Sequence, residues 1–218
     1  MKKYSYYVIV LALLLAALAC NLPYQNPAAD VPVVSEAADG FRTETRVDGE
    51  NLIRIIVPES YYLGQAGSDL SALVESFGDT GIAVSGDVQN LLSSSQDDIL
   101  VWGYDAGSGA AIPTSFVVIK NEEYAAMPLG LLSTFAGQLL GNTVQVVEQN
   151  RLTIGGRDTL RWITVTQESG YELTQVVYVF KDSGMLYLVG FNAERQEVYG
   201  QLAVYDMIVA SLTIEDLN

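Results

Sequence analysis

Two short stretches, Asp79-Thr80-Gly81 and Asp182-Ser183-Gly184, carry the sharpest chemical signal in these 218 residues. A pair of D-[TS]-G loops can hold two carboxylates so close that they share one proton, since two adjacent negative charges resist ionising together. Such a pair activates water for peptide hydrolysis. The flanking residues oppose that use: Gly78 precedes the first aspartate where an apolar strand residue belongs, and Lys181 precedes the second. Asp-Ser-Gly between two strand-like runs is also ordinary hairpin chemistry, with glycine supplying a positive φ. The turn is the better reading. Lys181 near Ser183 permits a Ser-Lys dyad on paper, but the same hairpin end accounts for both residues.

Composition removes most other catalytic routes. The chain has no histidine and one cysteine, Cys20, so Ser-His-Asp and Cys-His sites and His/Cys zinc sites are excluded. The glycines of Gly103-Tyr104-Asp105-Ala106-Gly107-Ser108-Gly109 suggest a phosphate loop, but the Gly-Lys-Ser/Thr ending is missing and a hairpin loop fits better. Asp97-Asp98 and Glu122-Glu123 could offer oxygens to Ca²⁺, yet neither lies in an EF-hand pattern, and both suit the ends of elements. No catalytic residue, metal ligand or cofactor is therefore assigned, and the chain reads as a protein that is not an enzyme. A carboxylate-dependent hydrolase is the remote alternative. Trp162, Tyr171, Tyr178, Tyr187 and Tyr199 could present ring faces to a sugar, peptide or lipid, although such residues along strands mostly fill the core.

The charge is strongly acidic, with 26 Asp+Glu against 11 Lys+Arg and a formal net of −15. That field repels phosphate backbones and excludes nucleic acid as a partner. Its simplest use is solubility, with cation binding as the alternative.

The chain opens with Met1-Lys2-Lys3, followed by sixteen uncharged residues from Tyr4 to Ala19. This run is shorter than the roughly 20 apolar residues of a membrane span and has the proportions of a secretory signal. Ala17-Leu18-Ala19-Cys20 resembles a bacterial lipobox, in which the chain is cut before a cysteine carrying a diacylglyceryl group. The usual leucine and small residue are exchanged at Ala17 and Leu18. An ordinary A-x-A site would give the same cut but leave Cys20 as an odd free thiol. An uncleaved anchor is the third arrangement. The lipobox reading makes residues 1–19 a signal peptide, Cys20 the lipidated N-terminus, and residues 20–40 a proline-containing tether spanning about 25 Å. A chain cut there would carry 26 acidic against 9 basic residues, a net of −17.

From residue 41 to 218 the pattern describes one domain. Residues 50–57 read as a strand ended by Pro58. Leu70, Leu73, Val74 and Phe77 follow helical spacing after Ser68-Asp69, and a second short helix fits residues 87–94. Strands are expected at 98–104 and 114–120, then a helix at 128–140 that begins with Pro128. Further strands fall at 144–148 with 151–154, and at 159–167, 172–180 and 185–191. A helix from about 193 to 211 and an extended piece at Thr213-Ile214 close the chain. Consecutive strands joined by tight turns, with helices before and after, give an α+β fold: a single α/β/α sandwich around a central antiparallel sheet.

Thr153-Ile154-Gly155-Gly156-Arg157-Asp158-Thr159-Leu160-Arg161 is similar to the glycine-arginine turn of PsbP-like proteins. The run from Gln175 to Phe180, then Gly184 to Phe191, a helix and Ser211-Leu212-Thr213-Ile214 resembles that family's ending. Val57-Pro58-Glu59-Ser60-Tyr61 resembles its early proline-aromatic turn, with Tyr61 where tryptophan is commoner. The resemblance covers residues 41–218 and implies an α/β/α sandwich in a family of mainly non-catalytic proteins. These are extrinsic photosystem subunits and bacterial lipoproteins of the same fold. Metal ligation by histidine, as in some plant members, cannot carry over to a chain without histidine. The expected function is a membrane-tethered extracytoplasmic lipoprotein serving as a binding or accessory module, with the membrane and another envelope protein as partners. The alternative is a lipid- or small-solute-binding lipoprotein with an apolar cavity between residues 128–140 and the sheet.

Overall fold

Short turns and alternating side chains set the architecture. The computed structural model describes residues 28–65, 98–108, 113–139, 144–168 and 171–217. Along these the elements are β1 (Ala28–Val31), β2 (Phe41–Asp48), β3 (Asn51–Pro58), β4 (Tyr61–Gln65), β5 (Ile99–Asp105), β6 (Ser115–Asn121), α1 (Leu129–Leu139), β7 (Val144–Ile154), β8 (Arg157–Glu168), β9 (Tyr171–Asp182), β10 (Met185–Ala193), α2 (Arg195–Ser211) and β11 (Thr213–Asp216). The helices expected at residues 68–77 and 87–94 lie outside the described residues.

Strands β7 to β10 form a meander, and two-residue turns join β7 to β8 and β9 to β10. Ser183 and Gly184 both take positive φ, 49° and 80°, which matches the right-handed strand twist in a tight hairpin. The large sheet has the order β1-β7-β8-β9-β10-β6-β5-β4, and a smaller sheet has the order β11-β3-β2. One face of the large sheet buries Tyr178, Phe180 and Phe191 against α2 and the small sheet. The other face buries Leu160, Trp162, Val177, Val179 and Leu186 beneath Leu129 and Leu132 of α1.

The expected α+β sandwich is borne out, in a sheet-dominated form: a second sheet shares one covering layer with α2. Three details differ from expectation. The central sheet is mixed, since β1 pairs parallel to β7. Residues 144–154 form one strand with a bulge near Val147, not two pieces. The stretch taken as a tether contains β1, and Val31 and Val34 pack against the core, so the folded unit reaches back to Ala28. Its sequence Ala-Ala-Asp-Val has no strand signal of its own and becomes extended only by pairing with β7.

Candidate binding surface

The residues that suggested hydrolysis are structural where they are described. Asp182 closes the β9–β10 hairpin and lies 3.6 Å from the Arg157 guanidinium. Ser183 Oγ donates to Asp182 Oδ1 at 3.2 Å, and Lys181 Nζ donates to the Ala125 carbonyl at 2.5 Å, so no Ser-Lys dyad forms. Asp79 and Cys20 lie outside the described residues. Gly103 belongs to β5, where an added Cβ would fall 2.7 Å from the Tyr62 carbonyl oxygen; it is a packing glycine. The Gly107 amide donates to Asp105 Oδ1 at 3.0 Å, as in a hairpin loop. Glu122 pairs with Lys120 at 3.7 Å. Among the described residues, no three acidic or cysteine side chains gather as a metal site would require.

On the α2 face, charged groups are consumed in holding the fold together. Arg157 donates to the carbonyls of Leu212 at 2.8 Å and Val209 at 2.5 Å, and its guanidinium lies 4.3 Å from the centre of the Phe180 ring. Helix α2 has no basic residue in its last turn, so Arg157 supplies the cation that its C-terminal carbonyls favour. Gly155 makes this approach possible, because a Cβ there would come within 2.8 Å of the Ala210 carbonyl oxygen. Burial pulls the Arg157 pKa down, while Asp182 opposes the shift. One turn earlier in α2, Asp206 accepts from Arg161 Nη1 at 3.2 Å and from the Tyr178 hydroxyl at 2.7 Å. Burial, followed by Asp206, raises the Tyr178 pKa well above its usual value. Burial also raises Tyr61, and pushes Tyr205 up to about 12.

The α1 face is different. The strand register aligns Thr164, Gln175, Asn192, Ser115, Tyr104 and Tyr62 in one row across β8, β9, β10, β6, β5 and β4. Side chains on one face alternate along each strand, so the whole row projects to the α1 side, like its neighbours Trp162, Val177 and Trp102. None of the six is charged. Thr164 Oγ1 donates to Gln175 Oε1 at 3.5 Å, Gln175 Nε2 to Asn192 Oδ1 at 2.7 Å, and Asn192 Nδ2 to Ser115 Oγ at 3.4 Å. Each amide nitrogen thus spends one of its two N–H groups in the ladder. Tyr62 and Tyr104 continue it with ring centres 5.5 Å apart, and Tyr62 is 47% exposed. Behind them the Trp102 indole lies across Gly64, where a Cβ would fall 2.0 Å from the ring. Among the described residues its Nε1 has no hydrogen-bond partner.

The aromatic residues singled out from sequence divide between core and surface. Trp162, Tyr178 and Tyr187 are buried, Tyr199 is 56% exposed on α2, and the side chain of Tyr171 is outside the described set. The tyrosine pair in the row was missed because β4, five residues long, gives too short a periodic signal. The cavity required by solute binding is not present between α1 and the sheet at the described positions. Leu132 and Trp162, each 1% exposed, fill that interface with Leu160, Val177 and Val179.

Comparison with solved structures gives this architecture its class. The solution structure of the cyanobacterial PsbP protein, CyanoP, from Synechocystis sp. PCC 6803 superposes over 88% of this chain and 99% of its own, with a TM-score of 0.52 and 10% identity. The chain therefore has a PsbP-like fold. The crystal structure of LpqN, involved in cell envelope biogenesis of Mycobacterium tuberculosis, matches over 81% of this chain and 92% of its own, with a TM-score of 0.45 and 15% identity. Neither a protein-family model nor a curated protein sequence matches the chain.

Proposed function

We propose that this chain is a non-catalytic binding module that works outside the cytoplasmic membrane, anchored through a lipid on Cys20. The observation that carries the binding assignment is the uncharged amide-tyrosine row on the α1 face. Its members keep hydrogen-bonding capacity and ring surface at a place where the fold makes no structural use of charge. The anchor rests on Met1-Lys2-Lys3, the apolar run to Ala19 and the lipobox-like Ala17-Leu18-Ala19-Cys20. Among the described residues no helix is long and apolar enough to cross a membrane.

Because β1 starts at Ala28, only Asn21–Pro27 separate Cys20 from the folded unit. Seven residues reach at most about 25 Å when fully extended, so the domain would ride close to the headgroups. An envelope protein or envelope component is the partner such a position favours. Two measurements test the assignment. Replacing Cys20 with serine should release the protein from the membrane fraction and abolish incorporation of labelled palmitate; retention with label would contradict the anchor. A photo-crosslinking side chain at position 62 should capture an envelope component more strongly than one at position 199, whereas equal yields would contradict the α1 face as the working surface.

A further inference from the structure

We infer that the row takes a neutral saccharide chain, laid across the strands from Tyr62 toward Gln175. This rests on the binding-module reading and names its ligand class. Adjacent strands stand about 4.8 Å apart, so the five positions Tyr62, Tyr104, Ser115, Asn192 and Gln175 span about 19 Å, the length of a short oligosaccharide. Sugars present C–H faces and vicinal hydroxyls in alternation. The half-exposed Tyr62 ring and its neighbour Tyr104 suit the C–H faces. The amides of Gln175 and Asn192, each with donor and acceptor groups, suit the hydroxyls.

Charge and polarity weigh against ionic and acyl ligands. An anionic ligand would need a cation in the row and would meet a molecule of net charge −15. A cationic ligand would need a carboxylate, and the row has none. An acyl chain would lie against an amide ladder whose polar groups it could not satisfy. The Trp102 indole, with ring centres 6.0 Å from Tyr62 and 6.4 Å from Tyr104, adds a buried donor without a partner and gives the surface an optical reporter.

The test uses the full chain in a non-glycosidic detergent, titrated with chitotriose, maltotriose and cellotriose while tryptophan fluorescence is followed. At least one trisaccharide should bind saturably. Tyr62→Ala and Gln175→Ala should each weaken it about tenfold, and Tyr199→Ala, which removes a comparably exposed ring from α2, should leave it unchanged. Tyr62 is half-exposed, so its variant keeps the test valid if Gln175→Ala fails to fold. The absence of saturable binding up to roughly 10 mM, or equal affinity in wild type and Tyr62→Ala, would overturn the inference. Crosslinking from position 62 without saccharide binding would overturn the ligand class and leave the binding module standing. Release of shorter sugars would overturn the non-catalytic reading and leave saccharide recognition standing.

Discussion

The two faces of the large sheet use polar residues in opposite ways. On the α2 face, Arg157, Arg161, Tyr178 and Asp206 are buried, charged or strongly shifted, and spent on tying a helix to a sheet. On the α1 face, Gln175, Asn192 and the two tyrosines are uncharged and partly accessible, Ser115 is buried between them, and the polar groups bond mostly to one another. A buried charge must be satisfied inside the protein, so its geometry is fixed by the fold. A partly exposed amide can exchange its remaining bonds for a ligand's at little cost. The difference puts architecture on one side and, on the proposed reading, recognition on the other.

The largest expected effect breaks the architectural side. Asp206→Ala leaves Arg161, whose side chain is 10% exposed, without its carboxylate. Chemical denaturation should show a loss of about 3–5 kcal/mol. The double variant Arg161→Met with Asp206→Leu should recover much of that loss. A loss below about 1 kcal/mol in the single variant would mean that the pair is solvated.

Alkali gives the next effect. Tyr61, Tyr178 and Tyr205 have folded-state pKa values raised above the usual 10 by burial, and Tyr205 reaches about 12. The unfolded chain therefore releases these protons first as pH rises. Their contribution is complete below pH 10 and declines above it, Tyr205's being lost through about pH 12. Each such phenol adds a slope of about 1.4 kcal/mol per pH unit in that window. Stability followed by urea melts should be flat through neutral pH and fall above 10; a flat profile beyond about pH 11, one unit past the ordinary tyrosine value, would contradict the burial of these hydroxyls.

Arg157→Ala removes two bonds to the end of α2 and the contact with Phe180. It should cost about 2 kcal/mol, and hydrogen exchange should speed up first at the α2 C-terminus and in β11. Uniform acceleration across the domain would contradict the capping role. The smallest effect is on the α1 face: Tyr62→Ala should change stability by no more than about 0.5 kcal/mol. A larger loss would make Tyr62 part of the architecture and blur the contrast.

What the sequence disclosed follows from the range of the forces involved. The hairpins at Gly155-Gly156 and Ser183-Gly184 were legible because two-residue turns demand particular residues on the spot. Both described helices were legible from apolar spacing, and α2 ends at Ser211, the residue expected. β1, β2 and β4 were not. β2 alternates only weakly, as Phe-Arg-Thr-Glu-Thr-Arg-Val-Asp; β4 is short; and β1 depends on a partner more than a hundred residues away, as the pairing of Ala28 with Leu152 shows. Asp206 was read as one residue of a helix and Arg161 as one of a strand; their pairing needs the docked helix. The polar row was hidden for the same reason. Tyr62 and Asn192 share a line only because three strand registers place them there.

The most direct measurement is a map of side-chain N–H resonances during titration with chitotriose. The Gln175 and Asn192 amides and the Trp102 indole should shift together and saturate together, while the Arg157 and Arg161 guanidinium signals stay in place. Shifts centred on the α2 face, or a titration that moves none of these groups, would contradict it.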